Sequence, residues 1–328
     1  MQTRPFGRTG RNVSVIGFGA WAIGGAWGNV DESDAIAALN AALDAGMTFI
    51  DTADVYGDGR SERLIGKVLK ERGGEPPFVG TKAGRRLPQQ SVAGYSDENL
   101  RAWIERSLAN LGVGTLDLVQ LHCPPTDLYY NPDVFGSLDR LKQEGKVRDY
   151  GVSVERIEEA IKAIDYPGVV SIQIIFNIFR QRPTELFFDL AKRKKVAVIA
   201  RVPLASGLLT GKLSADSTFA DDDHRSFNRH GKAFDVGETF SGVPYDVGLR
   251  AVERIRKVIG ANAQMAQFAL RWILMFDAVT VAIPGAKNAA QARANARAAS
   301  LPPLSQAQMA ELKAIYDEDI RPHVHQRW

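Results

Sequence analysis

A single cysteine, Cys123, stands in the 328-residue chain, so no disulfide can close within it and a folded core must hold by burial alone. No run approaches the roughly 18 consecutive apolar residues that span a bilayer, and the first residues lack the apolar stretch of a secretory leader. A cytoplasmic protein with no membrane partner is the expectation. Excess charge is missing too: 41 basic and 38 acidic residues leave a formal +3, too weak a bias to imply nucleic acid or anionic lipid. Absent as well is a Gly-x-Gly-x-x-Gly segment between strand and helix, which argues against a Rossmann-type nucleotide site. His122 adjoins Cys123, but no further ligands follow at metal-site spacing, and no metal is expected. The apolar share of 45% and the charged share of 24% are those of an ordinary globular chain.

What the chain does have is rhythm. Short apolar runs alternate with amphipathic stretches, and eight runs are expected as strands: Val15 to Gly19, Thr48 to Ile50, Phe78 to Lys82, Leu116 to Leu121, Val147 to Val152, Val170 to Ile175, Val196 to Ala200 and Ala278 to Ala282. The intervening helices are expected at Asp31 to Ala45, Ser61 to Arg72, Asp97 to Leu111, Asp133 to Glu144, Glu155 to Ile164, Pro183 to Lys195, Tyr245 to Phe276 and Asn288 to Ala299. Leu100, Ile104 and Leu108 share one helical face. Asp31 suits an N-cap, Gly46 and Gly145 suit helix ends, and Pro183 suits a first turn. An irregular segment from Leu204 to Pro244 interrupts the pattern. Eight βα units with no internal linker predict one α/β domain over residues 1–328, a (β/α)8 barrel. A hairpin before Val15 covers one end and an extra helix follows Leu301.

In such a barrel the functional residues sit where strands end. Asp51 follows the second strand, Tyr56 lies in its loop, Lys82 closes the third and His122 follows the fourth. Singly, these read as a cap, a packing ring, a solvated charge and a satisfied hydrogen-bonder. Together, at three consecutive strand ends, they predict one cavity.

The run Asp51-Thr-Ala-Asp-Val-Tyr56-Gly with Ser61-Glu62-Arg-Leu-Ile-Gly66 resembles the signature of the aldo-keto reductase superfamily. Gly80-Thr-Lys82, Gln120-Leu-His122, Gly151-Val-Ser153, Pro203-Leu-Ala-Ser-Gly-Leu-Leu-Thr-Gly-Lys212 and Ile283-Pro-Gly285 resemble further blocks in the expected order, covering about Val15 to Asn295. The resemblance implies a barrel enzyme that reduces an aldehyde or ketone to an alcohol with a nicotinamide cofactor. The chemistry fits the residue types. A phenol with a pKa near 10 needs a neighbouring ammonium to exchange protons near neutrality, which Lys82 supplies to Tyr56. Asp51 would pair with Lys82, and His122 would hydrogen-bond the substrate carbonyl.

By resemblance the cofactor lies across the barrel mouth, beside Gly19, Ala20, Trp21 and Asp51. Ser153 and Gln173 would meet the nicotinamide carboxamide, and Pro203, Leu204, Ser206, Gly207 and Lys212 the pyrophosphate. Gly285, Lys287, Gln291 and Asn295 would receive the adenylate end. Lys287 at a helix start, with Arg225 from the irregular segment, favours the 2′-phosphate of NADPH, and NADH is the alternative. Two departures stand out: Val154 where many members have Asn, and Arg201 where many have an aromatic that stacks on nicotinamide. Trp21, Trp27, Tyr56, Tyr129 and Tyr130 suggest an aromatic mouth. Substrate and oligomeric state are not legible. Some barrels of this kind serve instead as redox-sensing subunits of membrane channels, although no long appendage precedes this one, and an aldolase with Lys82 as Schiff-base lysine is a further alternative.

Overall fold

Successive residues of a strand face opposite sides of its sheet, and in this chain one of the two sets closes on itself. The structure, a computed structural model, describes residues 1–25, 27–28, 30–260 and 263–328. Thr3–Pro5 (β1) and Asn12–Ser14 (β2) make an antiparallel hairpin. Eight strands then pair in parallel and in chain order: Phe18–Gly19 (β3), Phe49–Asp51 (β4), Phe78–Ala83 (β5), Leu116–His122 (β6), Val147–Ser153 (β7), Val169–Ile175 (β8), Ala197–Arg201 (β9) and Val279–Ala282 (β10). Parallel bridges Ile16 to Ala282 and Gly19 to Gly285 join the first of these to the last. The Ala282 N–H donates to the Val15 carbonyl at 3.0 Å across that seam. The expected (β/α)8 barrel is the fold observed.

The strand interiors form layers. Phe49, Phe78, Leu118, Ala197, Ile199 and Val281 point inward and build an apolar plug, into which the hairpin inserts Phe6 from the N-terminal end. Gly7, at φ +56°, lies so close to the starts of β8 and β9 that a Cβ would approach the Val170 carbonyl to 2.7 Å. Two residues past Phe49 and Ile199, and four past Phe78 and Leu118, stand the polar Asp51, Arg201, Lys82 and His122, and Gln173 of β8 joins them. A period of two therefore carries β4, β5, β6 and β9 from plug to site.

The helices differ from expectation where the backbone is interrupted. Asp97–Leu111 forms as predicted, with the Ser96 hydroxyl accepting from the Asn99 N–H and Gly112 left-handed at its end. The region predicted as one helix from Tyr245 to Phe276 is two, Tyr245–Ile259 and Met265–Leu274. Gly260 ends the first at φ +80°, and residues 261 and 262 of that prediction lie outside the described residues. Pro183 opens only the short turn Arg182–Thr184, because Leu186 leaves helical geometry before Phe187–Arg193. Glu155 stands outside its predicted helix, which begins at Ile157. Only Phe18 and Gly19 of the first predicted strand join the sheet as a strand. The expected C-terminal helix, Gln306–Ile315, runs through a π turn at Tyr316–Ile320 into Arg321–Val324. Beyond it Trp328 is buried, its ring over the Arg180 guanidinium and its indole N–H donating to Asp235 at 2.9 Å.

Candidate active site

Strand register assembles the polar layer. Asp51 lies opposite Gly80, Lys82 opposite Gln120, His122 opposite Ser153 and Ser153 opposite Gln173, a staircase around the C-terminal mouth. Lys82, 1% exposed, directs its ammonium to Asp51 Oδ2 at 2.7 Å, the Thr52 carbonyl at 2.9 Å and the Tyr56 hydroxyl at 3.2 Å. All three ammonium protons are committed. The Tyr56 ring meets that of His122 edge to face at 6.0 Å. Gly24 allows this placement, since a Cβ there would lie 2.8 Å from Tyr56 Cβ. The four residues singled out at the strand ends thus meet in one cluster.

Its electrostatics follow from burial. Desolvation would depress Lys82, but Asp51 and Tyr56 outweigh it and hold the ammonium above its ordinary value. Burial pushes the Tyr56 phenol up, and Asp51 adds to this, by more than Lys82 pulls it down. Residue types alone point to the pull of Lys82 and leave out the cost of enclosing the ring among protein atoms. Burial, with Arg85, Lys82 and Arg201 nearby, holds His122 well below the usual imidazole range, so it is a neutral donor near pH 7.

Tyr56 and His122 open on a cavity of about 530 Å³ whose walls include Trp21, Arg85, Cys123, Glu155, Phe234 and Glu238. Trp21 and Tyr56 supply aromatic lining as expected, whereas Tyr129 is buried in the core and Tyr130 is 66% exposed. Arg85, Glu155 and Glu238 were not anticipated from the sequence. Arg85 follows Lys82 by three residues and Glu155 follows Ser153 by two, so position alone could have flagged them. Glu238 comes from the irregular segment and carried no signal. Arg201 bonds Glu155 at 2.8 Å and pairs with Glu238 at 3.4 Å, while Arg85 bridges the same two carboxylates. Burial pushes Glu155 up against the pull of Arg201, and burial of Glu238 is more than offset by Arg85 and Arg201, which hold it down. Cys123 Sγ and one oxygen of each carboxylate lie within 4.8 Å of one another, but two guanidiniums already compensate those charges. Burial pushes the Cys123 thiol up to about 12.

The residues expected around a cofactor lie along the same rim, and some are differently engaged. Gln173 donates to Asp51 Oδ1 at 2.7 Å, and Ser153 donates to Gln173 Oε1 at 3.4 Å. The Ser206 hydroxyl accepts from the Phe240 N–H at 3.0 Å and donates to the Glu238 carbonyl at 3.2 Å. Ala20 is buried beneath the rim, its N–H donating to the Asp51 carbonyl at 2.8 Å. Pro203 is buried, Leu204 half-buried and Lys212 exposed. Gly207, at φ +100°, is flanked by Arg225, whose Nη1 would lie 3.5 Å from a Cβ there. Arg225 stacks on Trp27 at 4.9 Å and pairs with Asp223 at 2.6 Å. The Lys287 ammonium donates to the Trp27 carbonyl, and burial, then Arg225, holds it below its ordinary value. Gln291 accepts from the Lys287 N–H at 2.8 Å, and Asn295 donates to the Gly285 carbonyl at 3.0 Å. Two neighbouring cations beside glycine backbone are a donor set suited to the phosphates of a dinucleotide.

Both the sequence and the barrel match proteins already described. The sequence model of the Aldo/keto reductase family matches residues 15–317. The aldo-keto reductase YhdN of Bacillus subtilis is 32% identical over 291 residues, 87% of this chain and 85% of that protein. The solved glycerol dehydrogenase AKR11B4 from Gluconobacter oxydans superposes with a TM-score of 0.76 at 28% identity, over 98% of this chain and 96% of the other. A probable voltage-gated potassium channel subunit beta of Arabidopsis thaliana is 27% identical over 93% of each chain. This chain belongs to the aldo/keto reductase family, oxidoreductases that use nicotinamide cofactors on carbonyl substrates. Among the described residues no helix is long and apolar enough to cross a membrane.

Proposed function

We propose that the whole chain acts as one catalytic domain that reduces an aldehyde or ketone to an alcohol, with NADPH preferred and Tyr56 as proton donor. A nicotinamide cofactor held at the barrel mouth would supply the hydride for the carbonyl carbon. As charge develops on the carbonyl oxygen, the Tyr56 hydroxyl delivers its proton there, and Lys82 stabilises the resulting phenolate across 3.2 Å. Asp51 keeps Lys82 charged and in place. Neutral His122 donates to the same oxygen and orients it. Lys287 and Arg225 would hold the 2′-phosphate, which is the basis for preferring NADPH.

The observation that carries this reading is the buried chain Asp51–Lys82–Tyr56, at 2.7 and 3.2 Å, opening on a cavity with His122 beside it. The test is Tyr56→Phe, assayed for NADPH oxidation across aldehydes, ketones, quinones and sugars. Turnover should fall by ~10²-fold or more while NADPH affinity stays near wild type. Equal turnover in the variant would remove Tyr56 from the mechanism, and an absence of wild-type turnover on every carbonyl would favour a redox-sensing binding protein.

A further inference from the structure

We propose that Gln173 is a positioning residue for the proton-donating cluster, fixing the Asp51 carboxylate from across the barrel, in addition to any contact it makes with a cofactor. The inference rests on the reductase reading of this site. In a closed ring of eight strands, β4 and β8 are four steps apart in either direction, so the 2.7 Å bond from Gln173 Nε2 to Asp51 Oδ1 spans the mouth along a diameter. It joins side chains 1% and 3% exposed, where little solvent competes and a hydrogen bond to a charged group is strong.

The orientation of the amide is determined by chemistry. An ionised carboxylate only accepts, so the NH2 group must face Asp51, and the remaining Oε1 accepts from the Ser153 hydroxyl at 3.4 Å. The two oxygens of Asp51 are then divided: Oδ2 binds Lys82 at 2.7 Å and Oδ1 binds Gln173 at 2.7 Å. Held at only one oxygen, a carboxylate can swing about its own bonds, and Lys82 follows it. Held at both, it gives the ammonium one location, 3.2 Å from the Tyr56 hydroxyl. Gln173 therefore acts on Tyr56 through two intermediaries, without touching the reacting atoms.

A double-mutant cycle separates this role from cofactor contact. Gln173→Met keeps the volume and removes the donor. At saturating NADPH and carbonyl substrate it should lower kcat about 10-fold, the size of one hydrogen bond to a charged group. In an Asp51→Asn background, where no charged carboxylate remains to be held, the same change should leave kcat within about 2-fold. The NADPH dissociation constant, measured by fluorescence, should change by the same factor in both backgrounds. Equal kcat losses in the two backgrounds would show that Gln173 serves the cofactor or the packing alone and would overturn the inference while leaving Tyr56 chemistry intact. Loss of the Tyr56 requirement itself would instead refute the reductase reading. Should Gln173→Met fail to fold, Gln173→Glu carries the same cycle: it places an acid against Asp51, and its kcat loss should shrink in the Asp51→Asn background.

Discussion

Replacing Lys82 by Met removes one buried charge and leaves two groups that depended on it. A unit charge 3.2 Å from the Tyr56 oxygen is worth about 5 kcal/mol at an effective dielectric of ~20. That stabilisation of phenolate disappears, and Asp51 continues to oppose ionisation. Proton delivery should therefore become much harder, with kcat/KM at pH 7 falling by ~10²–10⁴-fold. A general acid is active below its pKa, so raising that pKa moves the alkaline limb of the profile upward. In wild type the limb should already stand above the ordinary phenol value, and in the variant it should recede beyond the measurable range. Stability changes independently of the rate. Asp51 would keep its donor at Gln173 but lose its counter-ion, an uncompensated buried charge of the kind that costs about 3–5 kcal/mol. Adding Asp51→Asn should recover most of that stability and none of the rate. The assay pairs thermal melts of the three proteins with pH profiles of NADPH oxidation. A profile unchanged in position and height would refute the reasoning, as would a double variant that regained activity.

Particular side chains give three further outcomes. Lys287→Ala should weaken NADPH by ~1.5–3 kcal/mol, the range for a hydrogen bond to a charged group, and leave NADH nearly unaffected; parallel losses in cofactor titrations would show that Lys287 supports the loop without reading the 2′-phosphate, and make Arg225 the leading candidate cation. Asp54 is fully buried with both carboxylate oxygens lacking a hydrogen-bond partner among the described residues, and burial, with Glu62 beside it, raises it to about 7. Because the folded form keeps a proton that the unfolded chain releases from about pH 4 upward, stability should fall with rising pH until about pH 7; Asp54→Asn should flatten that slope and gain up to about 4 kcal/mol at pH 8, as read from denaturant melts at pH 5 and 8. Gly24→Ala should push Tyr56 away from Lys82 and cost on the order of 10²-fold in kcat, and normal turnover would show that the loop absorbs the methyl.

The contrast between what could and could not be read in advance is physical. Strands of this fold bury both faces, so each appears as an apolar run whose last inward residue turns polar, and Asp51, Lys82 and His122 were visible for that reason. Lys287, Arg225 and Gly207 were named individually, but that all three border Trp27 or one another is a property of the fold. Period cannot detect a break as short as Leu186, nor the left-handed glycine at 260 that divides one expected helix into two. Pairing partners were least visible. The sequence shows Gln173 as a polar residue in a strand and Arg201 as an unusual occupant of its position, but not that one reaches across to Asp51 and the other is matched by Glu155 and Glu238. Those contacts join residues 122, 46 and 37 positions apart, and no local pattern encodes them.

Trp328 lies far from Tyr56 in sequence, yet its ring is wedged beneath the loop that delivers Glu238. A Cβ at Gly237 would come within 2.9 Å of the indole, Asp235 is tied to the indole nitrogen, and Arg182 holds the Trp328 carbonyl at 2.7 Å. The last helix and the residues beyond it therefore act as a footing for one wall of the cavity. Changes made there for convenience, such as a surface redesign of Arg321–Val324, would be transmitted to Glu238 and from there to Arg85 and Arg201. Two preparations with the same catalytic residues would then differ in substrate range solely through what was done at this remote segment.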